Sequence, residues 1–187
     1  RHTARDIREA FCTAREVGFA CINMDLIAGL PQDSVEGFRD SLEEVLALRP
    51  ENITVHTLAM KKGSRLMEEG GALPSSEETG RMVNLSLEAL EGAGYRPYYL
   101  YRQKYMSGGL ENVSWCLPGT ENHYNIIMME ELQSVLSLGA GGVTKLVDRS
   151  SGRIVRLTNP KYPHDYLAMS AKVLEQKDEI LRFYREV

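Results

Sequence analysis

Apolar residues recur along this chain at two periods. Ile7, Ala10, Phe11, Ala14 and Val17 fall three and four residues apart, which predicts a helix with one buried stripe. Thr3 is its expected N-cap and Gly18 its stop. An apolar run then predicts a strand from about Ala20 to Ala28, broken by Gly29 and Pro31. Val35, Phe38, Leu42, Val45 and Leu46 restore the helical period, with Asp33 and Glu36 spaced as a capping-box variant and Pro50 as terminator. The β-branched stretch NITVHTLAM, ending at Met60, predicts the next strand. Strand, helix and strand together have the length of a βαβ unit, about 30 residues, and such units build parallel sheets. The segment to Met60 is therefore expected to close a βα barrel or a doubly wound sheet.

Lys61 to Ser64 leaves that strand, and Pro74-Ser75-Ser76 opens a further helix striped by Met82, Leu85, Ala89 and Leu90 and stopped by Gly92 and Gly94. The character changes at Tyr95. YRPYYLYRQKYM is aromatic and extended, SGGLEN is a turn or loop, and ENHYNIIMMEELQSVLSL reads as helical to about Leu138. VTKLVDRSSGRIVRL predicts a hairpin turning at Ser150-Ser151-Gly152, and a last helix is expected from about Pro163. The expected division is a barrel fragment over 1–94 and a small α+β domain over 95–187. The fold class is α/β.

Composition removes several function classes. The formal net charge of -4 and the absence of a basic stripe argue against nucleic acid as a partner. The longest apolar runs are too short to span a bilayer. Three cysteines, Cys12, Cys21 and Cys116, form neither a disulfide framework nor a CxxxCxxC motif, so a reducing, cytoplasmic setting is expected. The four histidines make no metal-binding pair. Arg1-His2-Thr3 enters a helix signal without an initiator Met, as expected of a piece whose preceding part lies elsewhere.

Candidate chemistry begins with Asp25. A parallel strand covered on both faces is normally continuously apolar. Asn23 and Asp25 interrupt one face near the strand's C-terminal end, where βα folds bind ligands. A buried carboxylate needs donors, which ribose hydroxyls or an amino group would supply; a salt bridge or a cap on the Gly29 turn would serve equally. Thr54 and His56 break the second strand in the same way, and a satisfied structural histidine is the favoured reading there. Ala59 is small enough for a flat ligand to approach the backbone. Gly139 to Gly142 lacks the GxGxxG form and reads first as a tight turn. Trp115, Cys116, His123 and Tyr124, with the tyrosines from Tyr95 to Tyr101, line a pocket for a planar substrate or pack between two subdomains; packing is preferred.

INMDLIAGLPQDSVEGF followed by LEEVLALRPENITVHTLAM resembles the oxygen-independent coproporphyrinogen III dehydrogenases, which are radical S-adenosylmethionine enzymes. DLIAGLP resembles the family's D-L-I-x-G-L-P strand end, and YYLYRQKYMSGGLENVSW with YNIIMMEELQSVLSLGAGGVTK resembles its HemZ-type subgroup. The resemblance implies a partial barrel of six βα units followed by a smaller C-terminal domain, with this chain holding the last two strands and that domain. It implies that Asp25, Ala59 and Val143 bind S-adenosylmethionine. The opening Arg1-His2-Thr3 resembles the tail of a G-R-x-H-T motif. The family's 4Fe-4S ligands have no counterpart here, so the piece alone is expected to be inactive. In the intact protein the resemblance implies that a reduced cluster cleaves S-adenosylmethionine to a deoxyadenosyl radical. The radical takes hydrogen from a propionate of coproporphyrinogen III, and loss of CO2 and an electron leaves the vinyl group of protoporphyrinogen IX. The implied partners are the porphyrinogen and an electron donor. Two rival expectations are a heme-trafficking relative that binds heme and S-adenosylmethionine without decarboxylation, and a small α/β binding module.

Overall fold

The computed structural model describes residues 2–59, 66, 72–101 and 110–185. The segments Met60 to Ser64 and Arg102 to Gly109, read above as a strand end, a linker and part of an aromatic stretch, lie outside the described residues. The chain divides into two compact units, Arg1–Asn122 and His123–Val187.

In the first unit, α1 (Ala4–Val17) begins at Thr3 with a capping box in which Thr3 and Asp6 satisfy each other's free donors, and it stops at Gly18 in the left-handed region at φ 98°. Strand β1 (Asn23–Ala28) is shorter than the apolar run suggested. Helix α2 (Val35–Leu48) is capped by Ser34, whose side chain accepts from Gly37 N, and not by the expected Asp33–Glu36 box; Asp33 instead accepts from Ser34 N at 2.8 Å. Strand β2 (Asn52–Thr57), helix α3 (Ser76–Gly92), and strands β3 (Arg96–Tyr101) and β4 (Asn112–Cys116) complete the unit.

The four strands form one sheet in the order β1-β2-β4-β3. β1 and β2 are parallel, in register Met24↔Ile53, Asp25↔Thr54 and Leu26↔Val55. β4 runs antiparallel to both β2 and β3. The strands after Gly94 thus extend the sheet begun by β1 and β2.

Alternation divides the sheet into two chemically different faces. One carries Met24, Leu26, Ile53, Val55 and Trp115, which pack with Phe38, Leu42 and Val45 of α2 and Met82 and Leu90 of α3 into a single core. Trp115 is therefore a core residue and not a pocket wall. Tyr95 enters the same core and donates from its hydroxyl to Pro50 O at 2.6 Å. The opposite face carries Asn23, Asp25, Thr54, His56, Ser114, Tyr99 and Tyr101, by the register of the same strands.

In the second unit, α4 spans only His123–Met129, and the expected helix to Leu138 gives way to irregular chain with a bridge from Val135 to Lys145. Gly139 and Gly141 take positive φ, 90° and 70°, and build the tight turn into the hairpin β5 (Val143–Asp148) and β6 (Arg153–Thr158). The expected final helix is two: α5 (Pro163–Ala168) and α6 (Ser170–Arg185). Leu146 and Phe183 are buried, and Arg153 lies over the Phe183 ring, 5.4 Å from its centroid.

Candidate functional site

The polar face of the first unit's sheet holds a connected set of side chains. Asn23 donates to Asp25 Oδ1 at 2.7 Å. Thr54 donates to Asn23 Oδ1 at 3.1 Å, and its hydroxyl meets Ser114 Oγ at 2.9 Å. His56 Nε2 lies 3.6 Å from Asp25 Oδ2, within ion-pair range and longer than a hydrogen bond. On the far side of the imidazole, the Tyr101 hydroxyl is 3.0 Å from Nδ1. The Tyr101 ring meets His56 edge-on and stacks nearly parallel to Tyr99, with 12° between the planes. The network crosses all four strands, because their i, i+2 positions share this face.

Burial along the network is graded. Thr54 and Ser114 are buried, the His56 side chain is 25% exposed, and the Asp25 side chain is 57% exposed. This corrects the expectation of a carboxylate enclosed in a sheet. Among the described residues β1 lies at one edge of the sheet, and the Asp25 side chain is open to water there. One carboxylate oxygen is fixed by Asn23, and the other faces His56 at longer range. The adjacent His56 imidazole holds the carboxyl below its ordinary value, outweighing the upward push of partial burial, with Asn23 and Thr54 adding to the effect. Asp25 is thus an anionic acceptor at neutral pH, suited to a hydroxyl or ammonium donor.

Ala59 lies in the same unit, half-buried just beyond the end of β2, where Leu58 N donates to Ala28 O at 3.0 Å. Val143, at the start of β5 and 44% exposed, belongs to the second unit. His123 and Tyr124 open α4 in that unit, and Trp115 and Cys116 end β4 in the first. The His56–Tyr101 link is the feature sequence reasoning missed. Its trace was the alternation of polar or aromatic residues at 54, 56, 99, 101, 112 and 114.

An iron–sulfur cluster finds no seat among the described residues: no three His, Cys, Asp or Glu side chains converge there. Cys12 and Cys21 are exposed, and Cys116 is buried, its thiol pushed up to about 11 first by burial and then by the nearby Glu121. No helix among the described residues is long and apolar enough to cross a membrane.

No family model matches the chain. Among curated proteins, the chain is 39% identical over its whole length to the oxygen-independent coproporphyrinogen-III oxidase-like protein HemZ of Bacillus subtilis, covering 37% of that protein. It is 28% identical over 59% of its length to the heme chaperone HemW of Bacillus subtilis, covering 30% of that protein. Among solved structures, coproporphyrinogen III oxidase (HemN) from Escherichia coli, described as a radical SAM enzyme, matches with a TM-score of 0.57 and 19% identity. That match covers 77% of this chain and 34% of the HemN chain, and it shows a shared α/β fold. The chain thus spans 30% to 37% of the length of these three relatives, and over that span it is a homologue of the HemZ/HemN-type coproporphyrinogen III oxidases.

Proposed function

We propose that this chain forms part of a radical S-adenosylmethionine enzyme of the HemZ/HemN type, which oxidatively decarboxylates coproporphyrinogen III to protoporphyrinogen IX in heme biosynthesis. The observation that carries this reading is the 39% identity to HemZ along the entire chain. S-adenosylmethionine, when bound, supplies the hydrogen-abstracting chemistry; the porphyrinogen is the substrate and an electron donor the second partner. The ligands of the 4Fe-4S cluster are not among the described residues.

The chain's own contribution is to bind and orient. Asp25 offers a fixed, ionised carboxylate whose accessible oxygen accepts from a ribose hydroxyl or an ammonium, and this chemistry fits S-adenosylmethionine. Ala59, with no side chain beyond Cβ, lets a flat ring approach the backbone past β2. A contact from Val143 rests on the family resemblance alone.

The test is anaerobic turnover of coproporphyrinogen III by the protein in its full natural length with S-adenosylmethionine. Appearance of protoporphyrinogen IX supports the reading, and its failure to appear with a reduced cluster overturns it. The matches to heme chaperones, 22% identical over 96% of the chain for that of Escherichia coli, favour one alternative, a heme-carrying role. Stoichiometric heme binding without vinyl product would establish it instead.

A further inference from the structure

Asp25 Oδ2 faces the His56 imidazole at 3.6 Å, and that imidazole is itself held. The Tyr101 hydroxyl sits 3.0 Å from Nδ1, and Nε2 is the nitrogen that faces Asp25. The stacked Tyr99 limits the swing of Tyr101. Asn23 fixes Oδ1 from the same strand, so each carboxylate oxygen has a neighbour of its own.

The geometry points to His56 as the positioning residue of the Asp25 carboxylate for S-adenosylmethionine, with Tyr101 holding the imidazole from its far side. The inference rests on the role proposed for Asp25 above. At 3.6 Å the imidazole flanks Asp25 Oδ2 within ion-pair range without engaging it as a full hydrogen-bond donor, so that oxygen keeps acceptor capacity for a ligand. From β1 the imidazole is faced by Asp25, and from β3 by Tyr101 with Tyr99 behind it, while β4 carries Asn112 and Ser114 on the same face.

The test measures the affinity of the protein, in its full natural length with oxidised cluster, for S-adenosyl-L-homocysteine at fixed pH. His56→Phe is expected to lose about tenfold in affinity. His56→Gln, whose amide nitrogen reaches the place of Nε2, is expected to restore most of that affinity, a rescue that a merely space-filling role would not give. Tyr101→Phe is expected to lose a few-fold, and it decides the matter if His56→Phe does not fold. Loss of affinity in Asp25→Asn together with wild-type affinity in the His56 and Tyr101 variants would overturn this inference and leave the Asp25 role standing. Wild-type affinity in Asp25→Asn would overturn both.

Discussion

Glu51 locks the start of β1 to the rest of the first unit, and replacing it by Gln tests how the Asp25-bearing strand is held in register. Arg15 Nη2 from α1 reaches both Glu51 oxygens at 2.6 Å, and Ile22 N donates to Oε2 at 2.9 Å. The backbone oxygen of Glu51 accepts from Leu117 N and Thr120 Oγ1, tying in the turn after β4. The Glu51 side chain is 17% exposed and that of Arg15 32%. Hydrogen bonds to a charged group contribute about 1.5–3 kcal/mol each when well shielded. Partial exposure of Arg15 reduces that, and Gln keeps one acceptor, so Glu51→Gln is expected to cost about 1–2 kcal/mol. For a chain of this size that lowers the thermal midpoint by roughly 2–8 °C. Burial pushes the Glu51 carboxyl up, but Arg15 and the Ile22 N–H overcome it and hold it below its ordinary 4.5. A depressed carboxyl stabilises the fold above the unfolded value and ceases to do so as pH falls through the native one. The gap between wild type and Glu51→Gln is therefore full at pH 7 and closes below 4.5. Thermal unfolding followed by circular dichroism from about pH 7 to 3 measures both. Equal midpoints at pH 7, or a gap undiminished at the acid end, would refute the reasoning.

Three further outcomes follow from burial. Leu42→Ala empties a fully buried position between α2 and the sheet and is expected to cost about 2–5 kcal/mol in urea unfolding. Asp25→Asn alters an exposed carboxylate with short-range partners only, so its stability is expected to stay within about 1 kcal/mol of wild type in the same assay, separating fold from ligand binding. Cys116, buried and with its thiol pushed up to about 11, is expected to resist iodoacetamide in the native protein at mildly alkaline pH, while exposed Cys12 is alkylated. Mass spectrometry before and after denaturation reads the difference.

The elements with strong periodicity were legible in sequence. The stripe from Ile7 to Val17 became α1 with its Thr3 cap and Gly18 stop, and the βαβ run became β1, α2 and a parallel β2. Local pattern failed where tertiary context decides. Trp115 and Cys116 read as packing between two subdomains or as a pocket wall; Trp115 instead packs with α2 and α3 in the core of the first unit, because β4 pairs between β2 and β3. The helical reading of 123–138 ended at Met129, where Glu131 at φ 52° leaves the helical region and Val135 pairs with Lys145. Asp25 is the instructive residue. Its strand and face were correct, but its burial depended on which strand lies beside β1, and a single sequence window holds no information on that. His56 was visible as an interruption, whereas its link to Tyr101 spans 45 residues and crosses β4.

A structure of the full natural chain with S-adenosyl-L-homocysteine bound tests the central claim most directly. A ribose hydroxyl or the ligand ammonium is expected within hydrogen-bond distance, about 3 Å, of the Asp25 carboxylate on the polar face of β1 and β2. A nucleoside bound elsewhere, with that carboxylate still open to water, would contradict it.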